Sequence, residues 1–194
     1  MPTARRVEKM TRVLKNRQQD LTIVCENIHD PHNVSAILRT CDSVGIDTVN
    51  LLYNVNTYPK MGKRSSASAR KWIKTEKFNK GVDLRAALKQ QNFMIYATRM
   101  DGDNTKSIYD IDWTLPSAVI LGNEHLGVSQ DAFSIADESI YIPMFGMIES
   151  LNVSVAAAVI LYEACRQRQE KNLYPNPAID EKTLQETLAI WKEK

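Results

Sequence analysis

Apolar positions recur at helical spacing over residues 5–18, where Val7, Met10, Val13 and Leu14 form one stripe ringed by Arg5, Arg6, Lys9, Arg12 and Arg17. The chain therefore opens on an amphipathic helix that docks one face and offers charge on the other. Residues 21–25 are an apolar run of strand length, and the loop 26–33 leads to a second helix with Asn33 as its N-cap and Gly45 as its stop. Within that helix Val34, Ile37, Leu38 and Cys41 make the buried stripe, while Ser35 and Arg39, four residues apart, share another face with Arg39 turned away from the core. Further strands are expected at 48–52, 72–78, 93–97, 117–121 and 139–142, with a helix over 82–91 and another opened by residues 122–129. A long polar connection spans 53–71, a length usually tied to function. Strands alternating with helices imply an α/β fold, a mostly parallel sheet with helices on both faces. Ligands of such sheets sit beyond the strand C-termini.

Residues 142–160 change character at their middle. The first part is a Gly- and Met-containing loop, the second an unbroken run of helix formers, and Ser150 or Asn152 can cap the junction. Free N–H groups and the positive end of a helix dipole at such a point suit a carboxylate or a phosphate.

Charge changes the picture more than composition does. The net charge of +2 hides +4 on residues 1–20 and +7 on residues 60–80, leaving −9 on the rest of the chain. Two basic stretches on an acidic body read as a footprint for a polyanion; the bland alternative is a solvated helix face and a charged loop. The 194 residues suffice for one sizeable core, divided here into a basic helix (1–20), a central domain (21–170) and a short helical extension (171–194). No membrane span or export signal is read, which makes the cytoplasm the expected compartment. Cys25, Cys41 and Cys165 are odd in number and sit in apolar segments, as reduced core thiols do. Cys25, His29 and His32 lack an obvious further ligand, so no metal is expected. The seven glycines make no dinucleotide fingerprint, and Gly122 and Gly127 have P-loop spacing without the following lysine.

Three motifs then occur in order: Asn33-Val-Ser-Ala-Ile-Leu-Arg39, Gly122-Asn-Glu-His-Leu-Gly127, and Ile142-Pro-Met-Phe-Gly-Met running on to Ser150-Leu-Asn-Val-Ser-Val155. Together they resemble the SPOUT superfamily in its SpoU/TrmH branch of RNA ribose 2′-O-methyltransferases. The resemblance implies S-adenosyl-L-methionine as cofactor and a C-terminal trefoil knot, which ordinary topology rules would not suggest. It implies catalytic roles for Arg39, Asn33, Glu124 and Asn152, and cofactor contacts at Thr98, Gly122, Ile142, Met144 and Leu151. It also implies a homodimer. The short basic helix at the N-terminus is similar to that of tRNA-modifying members, which points to tRNA as partner and to the guanosine at position 18 of the D-loop. RNA contacts are expected from Arg5, Arg12, Lys63, Arg64, Arg70 and Lys71. Two alternatives stay open: 2′-O-methylation of ribosomal RNA or of another tRNA position, and a non-catalytic RNA-binding factor on the same fold.

Overall fold

The computed structural model describes residues 2–59, 69–100, 102, 104–176 and 179–194. In chain order the elements are α1 (Ala4–Lys15), β1 (Leu21–Glu26), α2 (Pro31–Ser43), β2 (Thr48–Leu52), β3 (Lys74–Phe78), α3 (Gly81–Gln90), β4 (Met94–Thr98), β5 (Thr105–Ser107), β6 (Ser117–Leu121), α4 (Gln130–Ile135), β7 (Glu138–Tyr141), α5 (Val153–Glu170) and α6 (Glu181–Lys192). Seven strands form one sheet in the order β3-β2-β1-β6-β4-β7-β5. Every pairing is parallel.

Burial follows from that order. The central strands β1 and β6 are buried at every position, as uninterrupted apolar runs covered on both faces must be. On one face α2 and α5 pack over Ile23, Cys25, Val119 and Leu121; on the other, α3 and α4 pack over Val24, Ile95, Ile120 and Leu52. The edge strand β3 is exposed and carries Lys74, Glu76 and Lys77, charges that discourage edge pairing. Strand β5 went unforeseen because Thr105-Lys-Ser107 has no apolar alternation. Among the described residues no helix is long and apolar enough to cross a membrane.

The chain ends form a third, smaller cluster in which Met10 and Leu14 of α1 meet Leu184, Leu188 and Trp191 of α6. Arg17 corrects the surface role given to it above, being only 1% exposed. Its guanidinium donates to the Ile46 carbonyl at 2.6 Å, to Asp42 at 2.6 Å and to the Trp72 carbonyl at 3.2 Å, and lies over the Trp191 ring. A buried charge of this kind has to be paired, and losing one partner costs about 3–5 kcal/mol. Arg168, fully buried in α5, likewise donates to the Trp113 carbonyl, Gln18 and Asp20.

A second correction concerns the start of α2. Asp30, not Asn33, is the N-cap: its carboxylate accepts from His32 N–H at 2.8 Å, and Pro31 occupies the first turn, where a missing N–H does no harm. Asn33 is left free to point elsewhere. Ser35 is buried rather than surface-facing beside Arg39. Residues 122–129 open a helix, as a loop whose last residue, Ser129, is the N-cap of α4.

Candidate functional site

The loop after β6 is compact because its backbone folds onto itself. Asn123 and Gly127 exchange two 2.9 Å backbone hydrogen bonds, and the Asn123 side-chain oxygen accepts the N–H groups of His125 and Leu126. Gly127 has φ of +69°, a conformation that suits glycine. Gly122 is required for a different reason: a Cβ there would lie 2.2 Å from the Gly127 carbonyl carbon and from Val128 N. The two glycines of the motif thus serve the turn and the close backbone approach.

The turn presents Glu124 to the loop after β1. One carboxylate oxygen accepts the Asp30 N–H at 3.1 Å and the Asn33 side-chain amide at 2.9 Å; the other accepts the His29 N–H at 3.0 Å. Partial burial by itself would raise the Glu124 carboxyl, but the bonds from Asn33, His29 and Asp30 outweigh it and hold the carboxyl below the ordinary glutamate value. The Asn33 oxygen in turn accepts from the Asn152 amide at 3.1 Å. Asn152, and not Ser150, caps α5, its oxygen accepting from Ser154 N–H at 2.9 Å. Glu124, Asn33 and Asn152 therefore form one hydrogen-bonded chain drawn from three distant parts of the sequence.

That chain borders a cleft of about 870 Å³ at the C-terminal end of the sheet. Thr98, Gly122, Ile142, Met144 and Leu151, the residues assigned to a cofactor from the motifs, all line it, as do Glu124 and Asn152. The Thr98 hydroxyl donates to the Ile120 carbonyl at 3.0 Å, which fixes the ends of β4 and β6 together at the cleft floor. Lining residues that sequence reasoning did not single out include Arg99, Met100 and Val153. Nothing in their spacing marks them, since they are neighbours of strand and helix ends. Sequence reasoning does not single out Asn27 or Asn123 either, and a weak signal exists for Asn27 alone: Asn is among the few non-glycine residues that tolerate positive φ. Cys25, close under the site, is no nucleophile, because full burial, with the Glu124 charge adding, pushes its thiol up to about 12.

Arg39 stands apart. It is exposed on α2, six residues and therefore about 9 Å of helix rise beyond Asn33, and it does not line the cleft of its own chain. Among the described residues it makes no hydrogen bond or ion pair. Of the expected RNA contacts, Arg5 and Arg12 are exposed on α1, and Arg70 and Lys71 are exposed just before β3. Lys63 and Arg64 lie outside the described residues.

Against this geometry, residues 20–162 match the model of the SpoU rRNA Methylase family. The chain is 43% identical over 192 residues to a tRNA (guanosine(18)-2'-O)-methyltransferase of Thermus thermophilus, covering 99% of this chain and 98% of the relative. It is 41% identical over 169 residues to the enzyme of the same name in Escherichia coli, covering 87% of this chain and 73% of the relative. The fold superposes on the crystal structure of the TrmH/SpoU tRNA modifying enzyme of A. aeolicus with a TM-score of 0.89 at 38% identity, covering 97% of this chain and 95% of that one.

Proposed function

The chain belongs to the SpoU rRNA methylase family, and from that premise we propose that it methylates the ribose 2′-hydroxyl of guanosine 18 in the tRNA D-loop, with S-adenosyl-L-methionine as methyl donor. The observation that carries this reading is the hydrogen-bonded chain Asn152–Asn33–Glu124 at the border of the cleft, polar groups that RNA binding alone would not require in concert. The test is methyl transfer by the purified protein to two tRNA transcripts, one unaltered and one with guanosine 18 replaced. A methylated 2′-hydroxyl protects the adjacent phosphodiester from alkaline cleavage. Protection at position 18 of the unaltered transcript only is the expected result. Equal transfer to both transcripts, or transfer to ribosomal RNA alone, would overturn it.

The cleft suits such a donor by size and by mixed lining. Thr98, Gly122, Ile142, Met144 and Leu151 would hold it, and its sulfonium supplies an electrophilic methyl group, so that the protein's task is mainly alignment. Glu124, ionised across the neutral range, anchors Asn33, and Asn33 orients Asn152 at the N-terminus of α5. Arg39 orients the ribose and stabilises its developing alkoxide. A guanidinium stays protonated near neutrality, which makes it a poor base but a good electrostatic clamp.

The reading includes a homodimer in which Arg39 of one protomer serves the cleft of the other. Its support is twofold: Arg39 is solvent-exposed away from the cleft, and large apolar side chains are exposed both in the loop next to the cleft-lining Met144, at Phe145 (98% exposed), Met147 (99%) and Ile148, and on α5, at Val155 and Tyr162. Side chains of that kind suit burial against a second copy. A C-terminal trefoil knot belongs to the same reading; its support is the interleaved strand order β6-β4-β7 and the return of α5 onto α2. The exposed cations Arg5, Arg12, Arg70 and Lys71 would grip the phosphates of the folded tRNA, with Lys63 and Arg64 assigned to the same task from sequence.

A further inference from the structure

Asn27, the residue directly after β1, has φ of 48° although it is not glycine, and it is only 5% exposed. Backbone of this kind persists where surroundings over-determine it. Here they do so from two sides. Towards the connection that follows β2, the Asn27 side-chain oxygen accepts the N–H groups of Val55 at 3.3 Å and Asn56 at 3.2 Å, and its amide donates to Asn54 at 2.7 Å and to Glu26 at 2.7 Å. Towards the cleft, its carbonyl accepts from the Asn123 side chain at 2.9 Å.

The next three residues divide between the same two sides. The Ile28 carbonyl accepts the Tyr53 hydroxyl at 2.9 Å, while the His29 and Asp30 N–H groups bond Glu124. Tyr53 packs edge-on against Tyr58 with ring centroids 5.3 Å apart, and Lys77 sits over Tyr58 at 5.1 Å. Residues 27–30 are thus bonded on one side to the start of a basic connection and on the other to the carboxylate that anchors Asn33. Asn27 and Ile28 are held to residues 53–56, and the next two residues, His29 and Asp30, are held to Glu124, so a shift of residues 53–56 bears on the backbone that presents those N–H groups.

We propose that Asn27 is a positioning residue that couples the order of residues 53–56 to the alignment of Glu124 and Asn33 at the cleft. The proposal rests on the tRNA-methylating reading of the site. Its physical warrant is a contiguous set of hydrogen bonds that runs from residues 53–56 through residues 27–30 to Glu124.

Two variants test it. Asn27→Gly keeps the left-handed backbone and removes the four side-chain bonds; Tyr53→Phe removes one hydroxyl and no packing. Both should bind S-adenosylhomocysteine alone, and tRNA alone, within about twofold of the wild type by calorimetry, while kcat at saturating substrates falls about tenfold or more for Asn27→Gly and about threefold for Tyr53→Phe. Undiminished kcat in both variants would overturn the inference. So would a loss of S-adenosylhomocysteine affinity that parallels kcat, because Asn27 would then be only part of the cleft wall. If Asn27→Gly does not fold, Tyr53→Phe decides by the same criteria. Absence of transfer by the wild type would sink the tRNA reading and this inference with it, whereas active wild type beside unimpaired variants sinks the inference alone.

Discussion

The Asn152 side chain donates to the Asn33 side chain at 3.1 Å across 119 residues of chain. Asn33 spends its other end on Glu124 at 2.9 Å, so its amide orientation is dictated: oxygen toward Asn152, nitrogen toward Glu124. A carboxylate in its place would face the carboxylate of Glu124. Asn33→Asp should therefore lower stability by about 1–3 kcal/mol and cut kcat by about a hundredfold. Asn33→Ala should be no worse in stability. Thermal melts of the two variants beside a methyl-transfer assay check both statements, and equal behaviour of Asn33→Asp and wild type would contradict the assigned bond pattern.

Gly122→Ala places a Cβ 2.2 Å from the backbone of Gly127 and Val128. Backbone must move, and the moving backbone is cleft wall. Affinity for S-adenosylhomocysteine should fall about tenfold or more, with a loss of about 1–3 kcal/mol in stability. Calorimetry of the folded variant gives the answer.

Glu124 gives the site a defined acid limit. Its carboxyl lies below the ordinary glutamate value because bonds from Asn33, His29 and Asp30 outweigh the effect of burial. A group depressed on folding contributes its full stability above its unfolded value and loses that contribution as pH falls through the folded value. The advantage of wild type over Glu124→Gln in melting temperature should be complete at about pH 7 and shrink as pH falls below the ordinary glutamate value. An advantage that grows on acidification would reverse the sign and refute the assignment.

Arg39→Lys keeps the charge and loses the planar fork. It should abolish methyl transfer with little change in melting temperature or in S-adenosylhomocysteine affinity. Co-expression with the cofactor-defective Gly122→Ala chain then tests the dimer: if Arg39 acts across the interface, mixed dimers hold one complete site and the mixture recovers about a quarter of wild-type activity. No recovery in isolated mixed dimers would mean that Arg39 serves its own cleft or none.

Affinity for tRNA should fall steeply with salt, because binding at Arg12, Arg70 and Lys71 releases counterions. Replacing these three with glutamine should reduce the slope of log K against log salt by about two to three. An unchanged slope would return these residues to ordinary solvated surface.

Periodicity and short-range rules determined much of this molecule. The runs at 21–25 and 117–121 are strands buried on both faces because only a covered parallel sheet accepts unbroken apolar segments, and Asn152 caps α5 as a short polar side chain before a helix-forming run should. What local pattern could not decide depends on partners far along the chain. Asp30 and Asn33 are both competent caps, and the choice fell to Asp30 because the Asn33 oxygen, the atom that capping needs, accepts from Asn152, 119 residues away, while its nitrogen is held by Glu124. Arg17 looks like one more charge on a basic helix until Asp42, the Ile46 and Trp72 carbonyls and Trp191 close around it. The cleft itself joins the ends of β4, β6 and β7 to the cap of α5, a meeting set by strand order, and strand order is a long-range free-energy balance that no window of sequence contains.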